Sequence, residues 1–252
     1  MSEKKRIAKA AGIVGAFTFL SRILGFIRDV IVAKYFGAGL SADAFFVAFR
    51  IPNLLRRLLA EGSLTVSFVP VFTEYLTKNS KKDAFEVAHI AFTTLSMILA
   101  AISILGILLA PLIIRIIAPG FDDIPEKLQL TILLTRIMFP YIFFIGLLAL
   151  CMGILNSLGH FTAPSLAPVL LNVSMIMGVL FLSRYFDRPV LGLAAGVIIG
   201  GISQLIFQIP FLIKRGVVFK LNFNFSHPAI RKIGTLMFPA VFGTAVYQFN
   251  IF

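Results

Sequence analysis

Seven apolar stretches, at residues 7–36, 42–75, 84–117, 128–155, 163–186, 190–213 and 233–252, make up most of the chain. Each reaches the ~20 residues that a helix needs to cross the hydrocarbon core of a bilayer, and each is too long for a core strand. None alternates apolar with polar residues in the manner of a barrel strand. The helix, which satisfies its own backbone hydrogen bonds, is then the form such runs take in lipid. The expected fold class is all-α: a polytopic membrane protein with six transmembrane helices forming one lobe, plus the start of a seventh. Composition agrees, because 59% of the 252 residues are hydrophobic and only 13% are charged, whereas a soluble domain is nearer half and a quarter. The single cysteine, Cys151, excludes an intrachain disulfide framework and a cysteine-cluster zinc site. The first two stretches are longer than a straight span requires. They contain Gly12, Gly15, Gly25, Pro52 and Pro70, which predicts bends or tilt.

The net charge of +12 would point to nucleic acid on a soluble protein, but here its placement decides. Lys4, Lys5, Arg6 and Lys9 precede the first stretch, Lys78, Lys81 and Lys82 follow the second, and Lys214, Arg215, Lys220, Arg231 and Lys232 follow the sixth. The alternate connections hold only Lys127, Arg184 and Arg188. Such an imbalance puts the N-terminus in the cytoplasm, so the excess charge is mainly a topology signal. Arg22, Arg28 and Asp29 interrupt the first apolar run, and no small-x-small cleavage site follows it. It reads as an uncleaved span. The loop 214–232, whose 217–225 stretch alternates weakly, is expected to be an interfacial segment rather than a strand.

The remaining charges lie inside the stretches. Lys34, Arg115 and Arg136 are close enough to span ends to extend their heads to the interface. Arg22, Arg28, Asp29, Arg56, Arg57 and Glu61 are not. At roughly 3 kcal/mol each on insertion scales, six such groups facing lipid would cost on the order of 18 kcal/mol. They must face a protein interior or a water-filled cavity. Arg22 and Asp29 are seven residues apart and share a helix face, as do Asp43, Arg50 and Arg57, and Arg57 with Glu61 forms an i,i+4 pair. Pro52-Asn53 sits where a helix break would line a cavity. The four arginines outnumber Asp29 and Glu61, and guanidinium groups suit phosphate oxygens, which they grip bidentately. The competing reading is that these charges pair internally and hold the first two helices together.

Asn172, Gln204, Gln208, Gln248 and Asn250 read as interhelical hydrogen bonds rather than ligands. Gly192, Gly196, Gly200 and Gly201 read as close helix packing, and His89 and His160 as incidental. No catalytic motif is present: the sequence lacks H-E-x-x-H, a phosphate-cradling G-x-x-x-x-G-K-[ST] and G-x-S-x-G. The chain is not expected to be an enzyme, and no cofactor is expected.

The run Ser21-Arg22-Ile23-Leu24-Gly25-Phe26-Ile27-Arg28-Asp29 is followed by Phe36-Gly37-Ala38-Gly39 and then Asp43-Ala44-Phe45-Phe46-Val47-Ala48-Phe49. Pro52-Asn53-Leu54-Leu55-Arg56-Arg57 with Ala60-Glu61-Gly62 comes next, and further on Phe68-Val69-Pro70, Ala118-Pro119-Gly120-Phe121, Phe139-Pro140-Tyr141, Ile154-Leu155-Asn156 and Ala167-Pro168 with Asn172. Together these resemble the MurJ/MviN lipid II flippases of bacteria, in the multidrug/oligosaccharidyl-lipid/polysaccharide exporter superfamily. The resemblance implies two helical lobes around a cationic cavity in the inner membrane. It also implies alternating access that carries undecaprenyl-pyrophosphate-linked disaccharide-pentapeptide to the outer leaflet. Lipid II and membrane lipids are the implied partners, with no nucleic acid.

Carried onto this chain, the pyrophosphate ligands are Arg22, Arg28 and Arg56, with Arg57 in the same motif. The implied cavity and gate residues are Asp29, Asp43 and Glu61, flanked by Ser21 and Asn53. Members are roughly twice this length, so residues 1–232 match the N-terminal lobe and 233–252 the first helix of a second one. The remainder would be absent or supplied by another chain. A related polysaccharide-lipid flippase or a cation-coupled drug exporter is the alternative within transporters. A structural membrane module with internal salt bridges is the alternative outside them.

Overall fold

The computed structural model describes residues 3–58 and 63–250. Among the described residues its regular structure is helical, without a strand: α1 (Glu3–Phe36), α2 (Leu40–Arg56), α3 (Leu64–Lys78), α4 (Lys81–Ile117), α5 (Pro125–Met138), α6 (Tyr141–Ser157), α7 (Thr162–Met177), α8 (Val190–Lys214) and α9 (Pro228–Asn250). Among the described residues four helical segments are long and apolar enough to cross a membrane, namely Lys81–Ile117, Pro125–Ser157, Thr162–Tyr185 and Val190–Lys214. A helical membrane fold therefore stands, and the expected count of six spans is not confirmed among the described residues.

The second apolar stretch differs from a single straight helix. It is two helices of 17 and 15 residues, each shorter than a full span. The break does not fall at Pro52, which α2 accommodates inside the helix. Instead the backbone opens into wider π-type turns at 57–58 and at 63. Such turns interrupt the i→i−4 ladder without needing proline. The fourth stretch is likewise two helices, meeting at Phe139 and Pro140. Between α1 and α2 the chain reverses at Gly37, whose φ of +59° lies in the left-handed region that glycine enters without a Cβ penalty. The 217–225 segment, read as interfacial, forms neither helix nor strand.

The residues group into two compact units. The first takes Met1–Pro52, Ile102–Tyr141 and Ser165–Gln204, and the second takes Asn53–Ala101, Ile142–Pro164 and Leu205–Phe252.

In the first unit the core is built from Phe45, Ile114, Leu130, Leu134, Met138 and Tyr141, all fully buried. Here α7 and α8 run antiparallel with their backbones in contact. A Cβ on Gly196 would lie 2.8 Å from Ser174 O, and one on Gly178 would lie 2.6 Å from Gly192 O. Each step of four residues forward on α8 meets a step of four back on α7. Gly196 faces Met175, Gly200 faces Leu171, and the Gln204 amide donates to Ala167 O at 2.7 Å. This is the small-residue approach that stands in for hydrophobic driving force between helices in lipid. The expected roles of Gly192, Gly196, Gly200 and Gln204 are the observed ones. Replacing Gln204 by leucine removes one interhelical hydrogen bond together with an Oε1 that is buried without a partner among the described residues. The expected cost in detergent unfolding is about 0.6 kcal/mol, and a loss of several kcal/mol would show that Gln204 does more than join helices.

In the second unit α3 packs along α9, with Glu74 accepting from Lys78 on its own helix and from Lys232 on α9. Phe68, Phe72, Ile90, Leu99, Ile142 and Leu148 are its buried core. The chain after α8 turns at Gly216 and lies on α4: Phe219 stacks on Phe92 with centroids 4.2 Å apart, and the Asn222 N–H donates to Thr93 Oγ1 at 3.0 Å. Gln208 of α8 donates to Ala163 O at 2.9 Å, as expected of an interhelical glutamine. The side chains of Gln248 and Asn250 lie outside the described residues.

Candidate functional site

On α1, Ser21, Gly25 and Arg28 follow one another at helical spacing and present one edge of the helix to Asn172 of α7. The Asn172 amide is oriented by its nitrogen, which donates to Ser21 O at 3.0 Å and to Ser21 Oγ at 3.3 Å. Its Oδ1 is thereby aimed at Arg28, whose Nη1 donates to it at 2.8 Å. The opposite edge of the guanidinium, Nε and Nη2, donates to Asp29 Oδ1 at 3.0 and 2.8 Å. Exposure is uneven: the Arg28 side chain is 24% exposed and that of Asp29 64%. The cation is thus held from the protein side by a neutral amide and from the open side by a carboxylate. A phosphate oxygen offers the same acceptor chemistry as that carboxylate. Exchange of Asp29 for a phosphate would keep the guanidinium paired throughout, and Asn172 would keep it in place.

Arg22 is exposed and forms no hydrogen bond or ion pair with another described residue. The seven-residue spacing had placed it with Asp29. The carboxylate instead goes to its immediate neighbour, Arg28. Asp43, in the first turn of α2, was grouped by spacing with Arg50 and Arg57. Its observed partner is Lys127 of α5. That ammonium also stands 4.2 Å from the centroid of the Phe121 ring, and its side chain is only 14% exposed. Arg115 with Asp122 at 3.6 Å and Arg188 with Glu126 at 4.0 Å are looser pairs of the same unit. Being exposed, they add little to stability.

The other two candidate arginines, Arg56 and Arg57, belong to the second unit. Asn53 Oδ1 accepts from Arg56 Nε at 3.1 Å, and Arg56 is half-buried. Arg57 is exposed and begins the π-type widening. Ser63, on the far side of that widening, donates from Oγ to Leu58 O at 2.7 Å. Glu61 lies outside the described residues, and with it the expected pair with Arg57.

Two contributors were not assigned to the site from the sequence. Asn172 was read as a packing hydrogen bond, and it is one, but its acceptor is committed to Arg28. Lys127 was counted among loop charges. Among the described residues no group of three His, Cys, Asp or Glu side chains could hold a metal ion. His160, in the turn between α6 and α7, is held below the ordinary histidine range, first by burial and then by the nearby Arg215. It is therefore neutral at pH 7 and offers no charge to an anion.

The family pattern described as "Lipid II flippase MurJ" matches residues 32–252. A probable lipid II flippase MurJ of Vibrio cholerae serotype O1 is 42% identical over 254 residues, covering 98% of this chain and 48% of its own length. The corresponding protein of Buchnera aphidicola subsp. Acyrthosiphon pisum is 41% identical, covering 94% and 47%. A solved structure of lipid II flippase MurJ in an inward closed conformation aligns with a TM-score of 0.75 at 30% identity, covering 94% of this chain and 48% of that one. The chain spans about half the length of the curated relatives it matches.

Proposed function

The chain belongs to the family of the lipid II flippase MurJ, and from that premise we propose that it carries the arginines by which a transporter of the bacterial inner membrane holds lipid II. It is a transport protein rather than an enzyme. Arg22, Arg28 and Arg56, with Arg57 beside them, bind the pyrophosphate. The lipid passes from the inner to the outer leaflet by alternating access, and Asp29 and Asp43 exchange partners as the gate moves. The N-terminus is cytoplasmic, in keeping with the concentration of basic residues on one set of connections.

The observation that carries the reading is the Arg28 guanidinium, fixed on one edge by Asn172 and covered on the other by an exposed, exchangeable carboxylate. The Asp43–Lys127 ion pair, which joins α2 to α5, favours a second reading, in which the charges only tie helices together.

A chimera separates the two. With this chain in place of the matching half of the Vibrio cholerae relative, cells depleted of their own flippase should expose lipid II on the outer leaflet. Arg22→Ala and Arg56→Ala should each lower that exposure at least tenfold at equal membrane levels. Added pyrophosphate should raise the melting temperature of the unsubstituted chain, by mass action on the folded state. Normal lipid II exposure in both variants, together with rescue of stability by an Arg28/Asp29 charge exchange, would favour the structural reading.

A further inference from the structure

Against the first two turns of α4 the second unit holds a cleft of about 560 Å³, a size usual for small-molecule sites. Lys81, Lys82, Phe85 and Glu86 line it from α4, and Lys220 and Asn222 from the segment after α8. That segment is not a loose loop. The Phe219–Phe92 stack and the Asn222–Thr93 hydrogen bond pin it on both sides of Lys220. His89 lies one turn further along α4 and also lines the cleft. Its Nε2 is buried and has no hydrogen-bond partner among the described residues.

Charge is unbalanced here. Three ammonium groups share the cleft with the single carboxylate of Glu86. None of the three forms a hydrogen bond or an ion pair with another described residue. Lysines that serve only to orient a membrane protein need lie on the correct side and need not converge. Lys214 and Arg231 do that duty outside the cleft.

From this convergence we propose that the cleft is a binding site for a phosphate-bearing anion. Phosphate offers several strong acceptor oxygens and up to about two negative charges, enough to offset the local excess of two. Ammonium groups meet it as point charges, without demanding a fixed bidentate geometry. The apolar run of α4 begins at Ala84, just inside the lysines, so the cleft opens where the helix leaves the apolar layer. The phosphate of a membrane lipid and a soluble phosphate can both reach such a place. The site uses none of the arginines assigned above.

The test uses the full chain in nanodiscs and two probes: phosphatidylglycerol titrated into a phosphatidylcholine bilayer, and inorganic pyrophosphate added from solution. Bound lipid is counted by native mass spectrometry, and bound pyrophosphate by calorimetry. Lys82→Gln/Lys220→Gln should weaken binding of at least one probe about thirtyfold, from a contribution near 1 kcal/mol per lysine. Lys214→Gln/Arg231→Gln, which removes the same charge outside the cleft, should leave it within about twofold. Lys82→Arg/Lys220→Arg should retain binding, which guards against a folding defect in the glutamine variant. A loss confined to phosphatidylglycerol identifies the lipid headgroup as the ligand, and a loss confined to pyrophosphate identifies a soluble one. Equal losses in the two glutamine variants, or no binding of either probe, would overturn the proposal.

Discussion

Arg28→Ala in the chimera is expected to lower lipid II exposure on the outer leaflet by about a hundredfold or more. Hydrogen bonds to a charged group contribute about 1.5–3 kcal/mol each. The guanidinium edge now occupied by Asp29 offers two donors, Nε and Nη2. Losing both from a phosphate corresponds to about 3–6 kcal/mol, which is two or more orders of magnitude in occupancy. Arg28→Lys keeps the charge but not the two-donor fork, and should fall between the unsubstituted protein and Arg28→Ala. Stability must be read alongside. Asn172 is 6% exposed, and its Oδ1 would lose its donor in the alanine variant, a penalty of about 1–3 kcal/mol. Exposure is therefore compared at equal folded protein, with Asn172→Leu as the partner variant. Removing that acceptor with Arg28 intact leaves the charge in place but frees the side chain, so transport should drop less than in Arg28→Ala. Lipid II exposure within about threefold of the unsubstituted chimera for Arg28→Ala would remove Arg28 from the binding machinery.

What the sequence makes legible follows from what periodicity reports. Long apolar runs announce helices, and the glycines at four-residue steps on α8 announce a close neighbour, because both properties belong to one segment. Partners are different. Arg28 and Asn172 are 144 residues apart and Asp43 and Lys127 are 84 apart, and no spacing rule on a single helix connects them. For that reason the seven-residue repeat pairs Asp29 with Arg22 although its carboxylate closes on Arg28, and nothing in the sequence marks Lys127 as the partner of Asp43. The break between α2 and α3 was located at the residue that looks like a breaker. Pro52 costs one backbone hydrogen bond and is absorbed within α2, whereas the widening at 57–58 and 63 involves no proline. The two helices that flank this widening have 17 and 15 residues, each shorter than the ~20 of a straight span.

Gly196→Leu is expected to remove most of the folded protein. The atoms nearest a Cβ at this position are backbone: Ser174 O at 2.8 Å, Met175 Cα at 3.1 Å and Gly178 Cα at 3.3 Å. A side-chain neighbour could rotate away, but these cannot move unless α7 and α8 separate. Separation would also pull Gly178 from Gly192 and stretch the 2.7 Å bond from Gln204 to Ala167 O. Overpacking usually costs about 1–3 kcal/mol, and more when backbone must shift. A typical total stability is only about 5–15 kcal/mol. Two comparisons give the prediction its edge. At Gly200 the tightest contact is Leu171 Cδ1 at 2.7 Å, the far end of a flexible side chain, so Gly200→Ala should cost clearly less than Gly196→Ala. At Gly12 nothing lies within 4 Å, and Gly12→Leu should leave the melting temperature nearly unchanged. Yield of monodisperse protein after detergent extraction, followed by thermal melting, reads all of these. If Gly196→Leu melts with the unsubstituted chain, α7 and α8 do not meet at their backbones, and the antiparallel register read from Gly178, Gly196 and Gln204 is wrong.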